Sequence, residues 1–390
     1  MDSNVVLLFA VPFIIFLSPY LSRLFRIPTI TVEIILGAIL GYTGFVGENH
    51  FFELSAEIGF IFLMFLAGLE VEFHKILGIK KNLIRPTILY ITLVHIVSFL
   101  FIAIFALPLI FITILPLVSI GLIVTLSKEY GGDFEWIKLA FIVGTFAEVI
   151  SIIEFSLFSN VMVSGFGVEL FSQLGMLFLF IVGSFFLYKF IGLLIWWFPE
   201  AIEKITPTID NQEKDIRFSM VVLVGTCALM IWLHLEIAFG AFIAGMFMRA
   251  FFLVQEDLVH KLEGFGFGFL VPIFFIHTGI SFDLGALQDV EMIKMAFLIS
   301  FSMIVTRLFA SFSFRKFLSL KDIALFGFSH SMPLSLLVAL ISLAYSSGRL
   351  SMFYYNAFIL AAIIEVLIAT GFIRMILLYK KPSTNNEDKR

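Results

Sequence analysis

The residue best placed to do chemistry is Glu148, which lies in the middle of an apolar segment from 136 to 160. If this segment is a membrane-spanning helix, its carboxyl group lies about 18 Å along the helix from Trp136, close to the bilayer centre. Desolvation at that depth penalises the charged carboxylate, so the group can exchange a proton for a cation near neutral pH. The alternative is a structural glutamate that is hydrogen-bonded to a neighbouring helix.

Arg307 is a second charge inside an apolar segment, which runs from 291 to 312. Arginine does not deprotonate in proteins, so this residue cannot carry a proton itself. We expect it to provide a fixed positive charge beside the site, paired either with an acid or with exposed carbonyl groups. Snorkelling of the side chain toward a membrane interface is the alternative.

Two apolar segments contain helix-breaking residues. The stretch PLVSIG (116–121) interrupts the segment 109–127, and SHSMP (329–333) interrupts the segment 321–345. Proline and glycine free backbone carbonyls and create half-helix ends, which can bind ions where they line a cavity. Two harmless proline kinks are the alternative.

The predicted ion site consists of Glu148 together with Ser119 and Val118 from the first of these breaks. The Ser119 hydroxyl is an oxygen ligand of the kind that a sodium ion prefers, and Val118 belongs to the freed backbone. Arg307 is the predicted charge-stabilising residue. Secondary candidates are polar or ionisable residues inside other predicted spans or farther along the same one, namely Glu365, His330, Ser331, Glu154 and Thr145.

Two of these secondary candidates have structural explanations as well. Glu154 follows Glu148 along the same predicted helix, nearer its far end, where it fits either an entrance or a packing role. His330 could relay protons, as could His95 and His277. A lone histidine inside a span is also often a packing residue with its hydrogen bonds satisfied.

The elements that position these residues must be helices surrounded by membrane lipid. Of the 390 residues, 61% are hydrophobic and 14% are charged, and the mean hydropathy is +1.08, which leaves too little polar surface to cover a water-soluble globule. The chain has no basic patch that would indicate a nucleic-acid partner. The single cysteine excludes a disulfide within the chain and a cysteine-based metal site. No nucleophile–base pair indicates an enzyme, and we expect no cofactor.

Turn residues and charge clusters divide the chain into thirteen predicted helices. They cover residues 5–22, 30–46, 54–72, 83–106, 109–127, 136–160, 166–198, 217–234, 236–250, 262–281, 291–312, 321–345 and 353–379. Nearly all Lys and Arg residues of the loops then fall on one side, with only Lys294 and Arg349 on the other. The positive-inside rule therefore predicts an amino terminus outside and a carboxyl terminus in the cytoplasm.

Similarity between the two halves of the chain predicts an inverted repeat. EIILGAILG (33–41) resembles EIAFGAFIAG (236–245), and an AFI triplet precedes a Glu-Val pair at both Glu148 and Glu365. Paired segments that run in opposite directions are how many secondary transporters are built. The predicted parts of this single membrane domain are a first repeat over about 30–160, a linking helix and cytoplasmic linker over about 161–216, a second repeat over about 217–379 and a short cytoplasmic tail over 380–390.

Three motifs resemble those of the Kef-type and NapA-type cation/proton antiporters. They are RIPTITVEIILG (26–37), FLMFLAGLEVE (62–72) and SIGLIVTLSKE (119–129), and the likeness covers the whole chain. The resemblance implies an all-α fold of about thirteen helices with two crossed discontinuous helices, and a homodimer in the bacterial plasma membrane. It also implies alternating access, in which a core domain moves against a dimerisation domain. The pair Ala147-Glu148 matches the short acidic motif that supplies the family's ion-binding aspartate.

The chain departs from the electrogenic members of that family. Those members have two adjacent aspartates and a facing lysine, whereas Ala147, Glu148 and Arg307 stand in these positions here. With one titratable site, we expect electroneutral exchange of one Na⁺, or one K⁺, for one proton. The alternative within the family is the membrane subunit of a Kef-type potassium efflux system, and the tail 380–390 is too short for the nucleotide-binding domain of such a system. An ion channel and a non-transporting sensor are the alternatives outside the family.

Overall fold

Helices are the only regular elements in the part of the chain that the structure describes. This computed structural model describes residues 3–44, 49–71, 81–130, 134–164, parts of 175–197, 213–233, 235–251 and 256–378. A helix satisfies its backbone hydrogen bonds internally, which is what an apolar segment requires in lipid.

The helices of the first half are α1 (Ser3–Phe25), α2 (Thr29–Tyr42), α3 (His50–Glu70), α4 (Lys81–Phe105), α5 (Phe111–Ile114), α6 (Gly121–Tyr130) and α7 (Glu135–Ser164). Those of the second half are α8 (Lys214–Trp232), α9 (Ile237–Phe251), α10 (Glu256–Phe265), α11 (Val271–Ile280), α12 (Val290–Ser311), α13 (Leu320–His330), α14 (Leu334–Ser346) and α15 (Met352–Leu378). The predicted all-helical architecture is confirmed.

The number of membrane crossings follows only in part from these helices. Nine spans among the described residues are long and apolar enough to cross a membrane, and α2 and α9 are shorter apolar helices. The predicted span 166–198, the linker after it and the tail 380–390 lie largely or wholly outside the described residues. The count of thirteen helices therefore stays a prediction.

The outer surface of the molecule is apolar. Phe9 on α1 is 76% exposed and Trp232 at the end of α8 is 75% exposed, and similar large side chains follow the outward faces of α4 and α12. Apolar surface on this scale is unfavourable in water and is matched by lipid acyl chains. The chain is a multi-pass membrane protein.

Two helix pairs approach each other so closely that only glycine fits between them. A Cβ atom at Gly37 of α2 would overlap the carbonyl oxygen of Ile276 on α11, and one at Gly245 of α9 would overlap that of Phe65 on α3. Small residues allow such close backbone contact in membranes. Each pair joins a helix of the first half to one of the second half. The inverted repeat stays a prediction, and this reciprocal packing agrees with it.

Both predicted helix breaks are confirmed. The chain leaves the helix over 115–120, between α5 and α6, and over 331–333, between α13 and α14. Pro116 and Pro333 lie in these breaks and cannot donate a backbone N–H. The segment formed by α13 and α14 is also the most buried of the candidate spans, because 89% of its apolar stretch is buried inside the protein. The breaks therefore lie in the core and not at the lipid surface.

A third irregularity joins α10 to α11 through a π-helical turn at Gly266–Leu270. Pro272 lacks the N–H that would continue the regular pattern, and the N–H of Val271 donates to the carbonyl of Gly266, five residues earlier. Phe267 within this turn and Val271 after it line the cavity that is described below.

Candidate functional site

Glu148 lies on α7 beside the break between α5 and α6. Its side chain is 1% exposed. The hydroxyl of Ser119 donates to Oε1 at 2.9 Å, and the backbone N–H of Ile120 donates to Oε2 at 3.3 Å. Ile120 immediately precedes α6, so its N–H belongs to the helix end that carries a positive partial charge. The structure thus brings together the predicted pair of Glu148 and Ser119.

A second contact ties the same break to α7. The N–H of Val118 donates to Oγ of Ser151 at 3.4 Å. Ser151 lies three residues after Glu148 and therefore on the same face of α7. Neither Ser151 nor the N–H of Ile120 was predicted from the sequence. The spacing from Glu148 could have indicated Ser151, whereas nothing in the sequence distinguishes the N–H of Ile120 from its neighbours.

Arg307 on α12 is fully buried, and within the described part of the chain its guanidinium donates only to backbone carbonyls. Nε donates to His330 O at 3.1 Å, Nη1 to Met303 O at 2.8 Å and Nη2 to Leu115 O at 2.8 Å. A further short contact joins Nη2 to Leu117 O. The predicted partners of Arg307 were an acid or exposed carbonyl groups, and in the structure its partners are carbonyl groups. Arg307 holds the two helix breaks together.

Glu365 on α15 is fully buried, and neither carboxyl oxygen has a hydrogen-bond partner among the described residues. Arg307 is the charge that acts on it electrostatically, yet within the described residues no ion pair joins the two. Glu365, the predicted repeat partner of Glu148, therefore has no hydroxyl or N–H donor among the described residues, unlike Glu148.

The other buried secondary candidates bond to their own helices. Oγ1 of Thr145 donates to Phe141 O at 2.7 Å, Oγ of Ser331 donates to Gly327 O at 2.9 Å, and Nδ1 of His330 lies 2.9 Å from Phe326 O. The His330 ring packs against the ring of Phe326 with centroids 4.3 Å apart. The backbone carbonyl of His330, and not its ring, contacts Arg307. No hydrogen bond joins these three side chains to Glu148 within the described residues.

Glu154 takes part in a separate contact between α7 and α4. Its Oε2 lies 2.8 Å from Nε2 of His95, whose Nδ1 lies 2.8 Å from Ile91 O. Both side chains are about one-third exposed. This geometry fits the packing role better than a place in the ion site. His277 on α11 contacts the ring of Phe52 on α3, with ring centroids 5.5 Å apart.

A cavity of about 1000 Å³ leads to the site. Glu148 and Ser119 line it, and so do three arginines at helix ends, Arg23, Arg26 and Arg374. The described residues contain no group of three or more His, Cys, Asp or Glu side chains that could hold a metal ion. A buried carboxylate with a hydroxyl neighbour on the wall of a cavity suits a monovalent cation or a proton.

The sequence and the fold are similar to those of known antiporters. The chain is 29% identical to the putative Na(+)/H(+) antiporter YjbQ of Bacillus subtilis over 99% of its own length, but it spans only 65% of that relative. It is 23% identical to a Na(+)/H(+) antiporter of Enterococcus hirae, covering 90% of this chain and 92% of the relative. The structure of the sodium proton antiporter MjNhaP1 from Methanocaldococcus jannaschii has the same fold, with a TM-score of 0.66, 15% identity and coverage of 96% and 99% of the two chains.

A family model also matches the chain. The model described as "Sodium/hydrogen exchanger, transmembrane" matches residues 12–379, which is nearly the whole chain. Members of such a family are membrane transporters and not enzymes. The chain belongs to the sodium/hydrogen exchanger family.

Proposed function

We propose that this chain is a secondary active antiporter that exchanges Na⁺ for H⁺ by alternating access, with Glu148 as the group that holds either ion. The observation that carries the proposal is the carboxylate of Glu148 at a buried helix break, bonded by Ser119 and Ile120 and open to a cavity. The printed names of the Bacillus and Enterococcus relatives support Na⁺ and H⁺ as the pair of substrates.

Coupling in this scheme comes from competition for one carboxylate. In the absence of a bound ion, the Ser119 O–H and the Ile120 N–H offset part of the cost of burying the negative charge. A sodium ion would take the carboxylate and the Ser119 oxygen, together with carbonyls freed by the break at Val118. A proton on Glu148 removes the charge that attracts the sodium ion. The carrier therefore moves loaded with one ion or the other.

Exchange of this kind is electroneutral. Binding of either one proton or one sodium ion to Glu148 gives the loaded site the same net charge. Arg307 keeps its charge throughout because it is held by four carbonyls and an arginine does not deprotonate. It acts in this proposal as a structural cation.

Sodium is the proposed substrate in preference to potassium. The relatives named above are described as Na(+)/H(+) antiporters, which favours exchange over the Kef-type potassium efflux alternative. One carboxylate and one hydroxyl fix no ion radius, so K⁺ and Li⁺ belong in the same test.

The orientation and the oligomeric state are part of the proposal. Arg23, Arg26 and Arg374 line the cavity, and the positive-inside rule assigns such a basic surface to the cytoplasm. The site would then face inward here, with the amino terminus outside and the carboxyl terminus inside the cell. A homodimer in the bacterial plasma membrane is inferred from the family resemblance.

Transport in liposomes tests the function and the site together. Purified protein is reconstituted with an imposed pH gradient, and Na⁺, K⁺ or Li⁺ is added while a pH-sensitive dye reports proton release. We expect a dye response to Na⁺ and its loss in Glu148→Gln, which cannot ionise. Unitary currents in planar bilayers would instead indicate a channel.

Glu154→Gln is the matched control on the same helix. It makes the same chemical change six residues further along α7, at a residue that contacts His95, and we expect it to retain most of the transport. Wild-type transport by Glu148→Gln would contradict the proposed site, and loss of transport in Glu365→Gln alone would identify Glu365 as the carrier.

A further inference from the structure

Glu33 is a buried acid that the exchange at Glu148 does not use. It lies one turn after the start of α2 and is 4% exposed. Its carboxyl group has no hydrogen bond and no ion pair with any described residue, yet it lines the same cavity as Glu148. A buried carboxyl without a partner is costly for folding, so its presence on a cavity wall needs an explanation.

Packing does not provide this explanation. Glu33 precedes Gly37 by one helical turn and therefore lies on the side of α2 that meets α11. This seam is formed by direct backbone contact at Gly37 and Gly41. An apolar side chain at position 33 would complete the seam without the cost of a carboxyl group.

The basic residues of the cavity do not neutralise Glu33 either. Arg23, Arg26 and Arg374 share the cavity with it, but no arginine of the described chain lies within ion-pair distance of its carboxyl group. The guanidinium of Arg374 instead donates to the backbone carbonyl of Arg26 at 3.1 Å. The carboxyl group of Glu33 is therefore available to bind a solute that enters the cavity.

We propose that Glu33 is a second binding site for monovalent cations, a staging site on the cavity wall that takes the ion from water before Glu148 receives it. The carboxylate of Glu33 and cavity water would supply the ligands. A negative charge on a low-dielectric wall raises the local concentration of cations. The inference rests on the proposed function, because it concerns the path to Glu148.

Glu70 and Glu263 also line the cavity but are only half-buried. The two buried acids of the path, Glu33 and Glu148, have separable effects. Glu148 is needed for every turnover, whereas Glu33 only raises the occupancy of the path. Loss of the Glu33 charge should therefore raise the apparent KM for Na⁺ and leave the maximal rate nearly unchanged. We expect an increase of roughly 3- to 10-fold, which is the effect of one charge across a water-lined cavity.

The transport test compares Glu33→Gln and Glu33→Asp with wild type over a range of Na⁺ concentrations in liposomes. We expect the KM to rise in Glu33→Gln, and to rise less in Glu33→Asp because that variant keeps the charge. Glu57→Gln is the matched control, since Glu57 on α3 is exposed and lies outside the cavity. An unchanged KM in both Glu33 variants, or a lower maximal rate at unchanged KM, would overturn the proposal.

A binding measurement separates this proposal from the role of Glu148. Binding of radioactive sodium to the detergent-solubilised protein is measured for Glu148→Gln and for the double variant Glu148→Gln with Glu33→Gln. Melting temperatures of both variants check that they fold. We expect weak binding in the single variant and its loss in the double variant. Equal binding in the two would refute the staging site. Wild-type transport by Glu148→Gln would contradict Glu148 as the carrier of the proposed function, and the Glu33 result would then be judged by itself.

Discussion

At the scale of single residues, the contact with the widest consequences is the one between Arg307 and the two helix breaks. The carbonyls of Leu115 and Leu117 follow the end of α5, and that of His330 ends α13. Helix carboxyl ends carry a negative partial charge, so two of them meeting in the core would repel each other. The guanidinium lies between them and offsets this repulsion.

Arg307→Lys tests this role. A lysine keeps the charge but presents one ammonium group, which cannot reach carbonyls on several helices in the fork geometry of a guanidinium. We expect a loss of stability of about 3 kcal/mol or more, from at least two lost hydrogen bonds to a charged group. The melting temperature of the purified protein measures it, and transport is compared below that temperature.

Arg315→Lys makes the same change at an exposed position after α12 and should leave the melting temperature unchanged. If Arg307→Lys has the melting temperature of the wild type but shifts the pH dependence of transport, Arg307 takes part in proton coupling and is more than structural.

The sequence indicates the charged members of the site better than its hydrogen bonds. Glu148 and Arg307 stand out because a charge inside an apolar span has few explanations. Whether Arg307 pairs with an acid or with backbone carbonyls depends on the positions at which α5 and α13 end. No local sequence pattern predicts where these two helices end relative to Arg307. The sequence also does not predict that the Glu365 carboxyl has no hydrogen-bond partner among the described residues.

At the scale of helices, close backbone contact at glycine determines how α2 packs on α11 and how α9 packs on α3. A methyl group at Gly245 would overlap Phe65 O and would lie 2.8 Å from Leu69 N and 2.9 Å from Gly68 Cα. These are backbone atoms of α3, which cannot move aside as a side chain can. The two helices would have to separate along their length.

Gly245→Ala should therefore be destabilising. We expect a loss of about 1–3 kcal/mol or more from overpacking, measured as a lower melting temperature. Gly225→Ala on α8 is the control, because no atom of the described residues lies within 4 Å of a Cβ there. That change should be neutral or stabilise the helix by about 0.5–1 kcal/mol. An unchanged melting temperature in Gly245→Ala would show that α3 and α9 can separate freely.

Hydropathy predicts the positions of helices well and their irregularities poorly. The predicted span 236–250 agrees with Ile237–Phe251, and both breaks follow from Pro116 and Pro333. The predicted break lies within the span 109–127, but the composition of this span does not show that α5 is reduced to Phe111–Ile114. The π-helical turn at Gly266–Leu270 was also missed, although Pro272 was a usable signal.

At the scale of the whole molecule, the position of the charges predicts how exchange responds to voltage. Glu148 is the carboxylate with the hydroxyl and N–H donors at the break, and Arg307 keeps its charge. We expect transport to generate no membrane potential and to be insensitive to an imposed one. A potential-sensitive dye in liposomes, with K⁺ gradients and valinomycin to impose the voltage, measures both quantities.

Gramicidin in the same liposomes gives the positive dye response for comparison. A dye signal during Na⁺-driven exchange, or strong acceleration by an imposed potential, would mean that more than one charge moves per cycle. Glu365 would then be the first residue to test as a second carrier.

The glycine contacts between the halves also affect how the protein is made. Gly37 meets Ile276 and Gly245 meets Phe65, and the partners are roughly 200 residues apart in the chain. At about 5–20 residues per second of synthesis, α2 and α3 wait on the order of tens of seconds for the helices that cover them. Neither half is complete without the other, so a ribosome-bound chain that stops before α9 should be open to membrane proteases until the rest emerges.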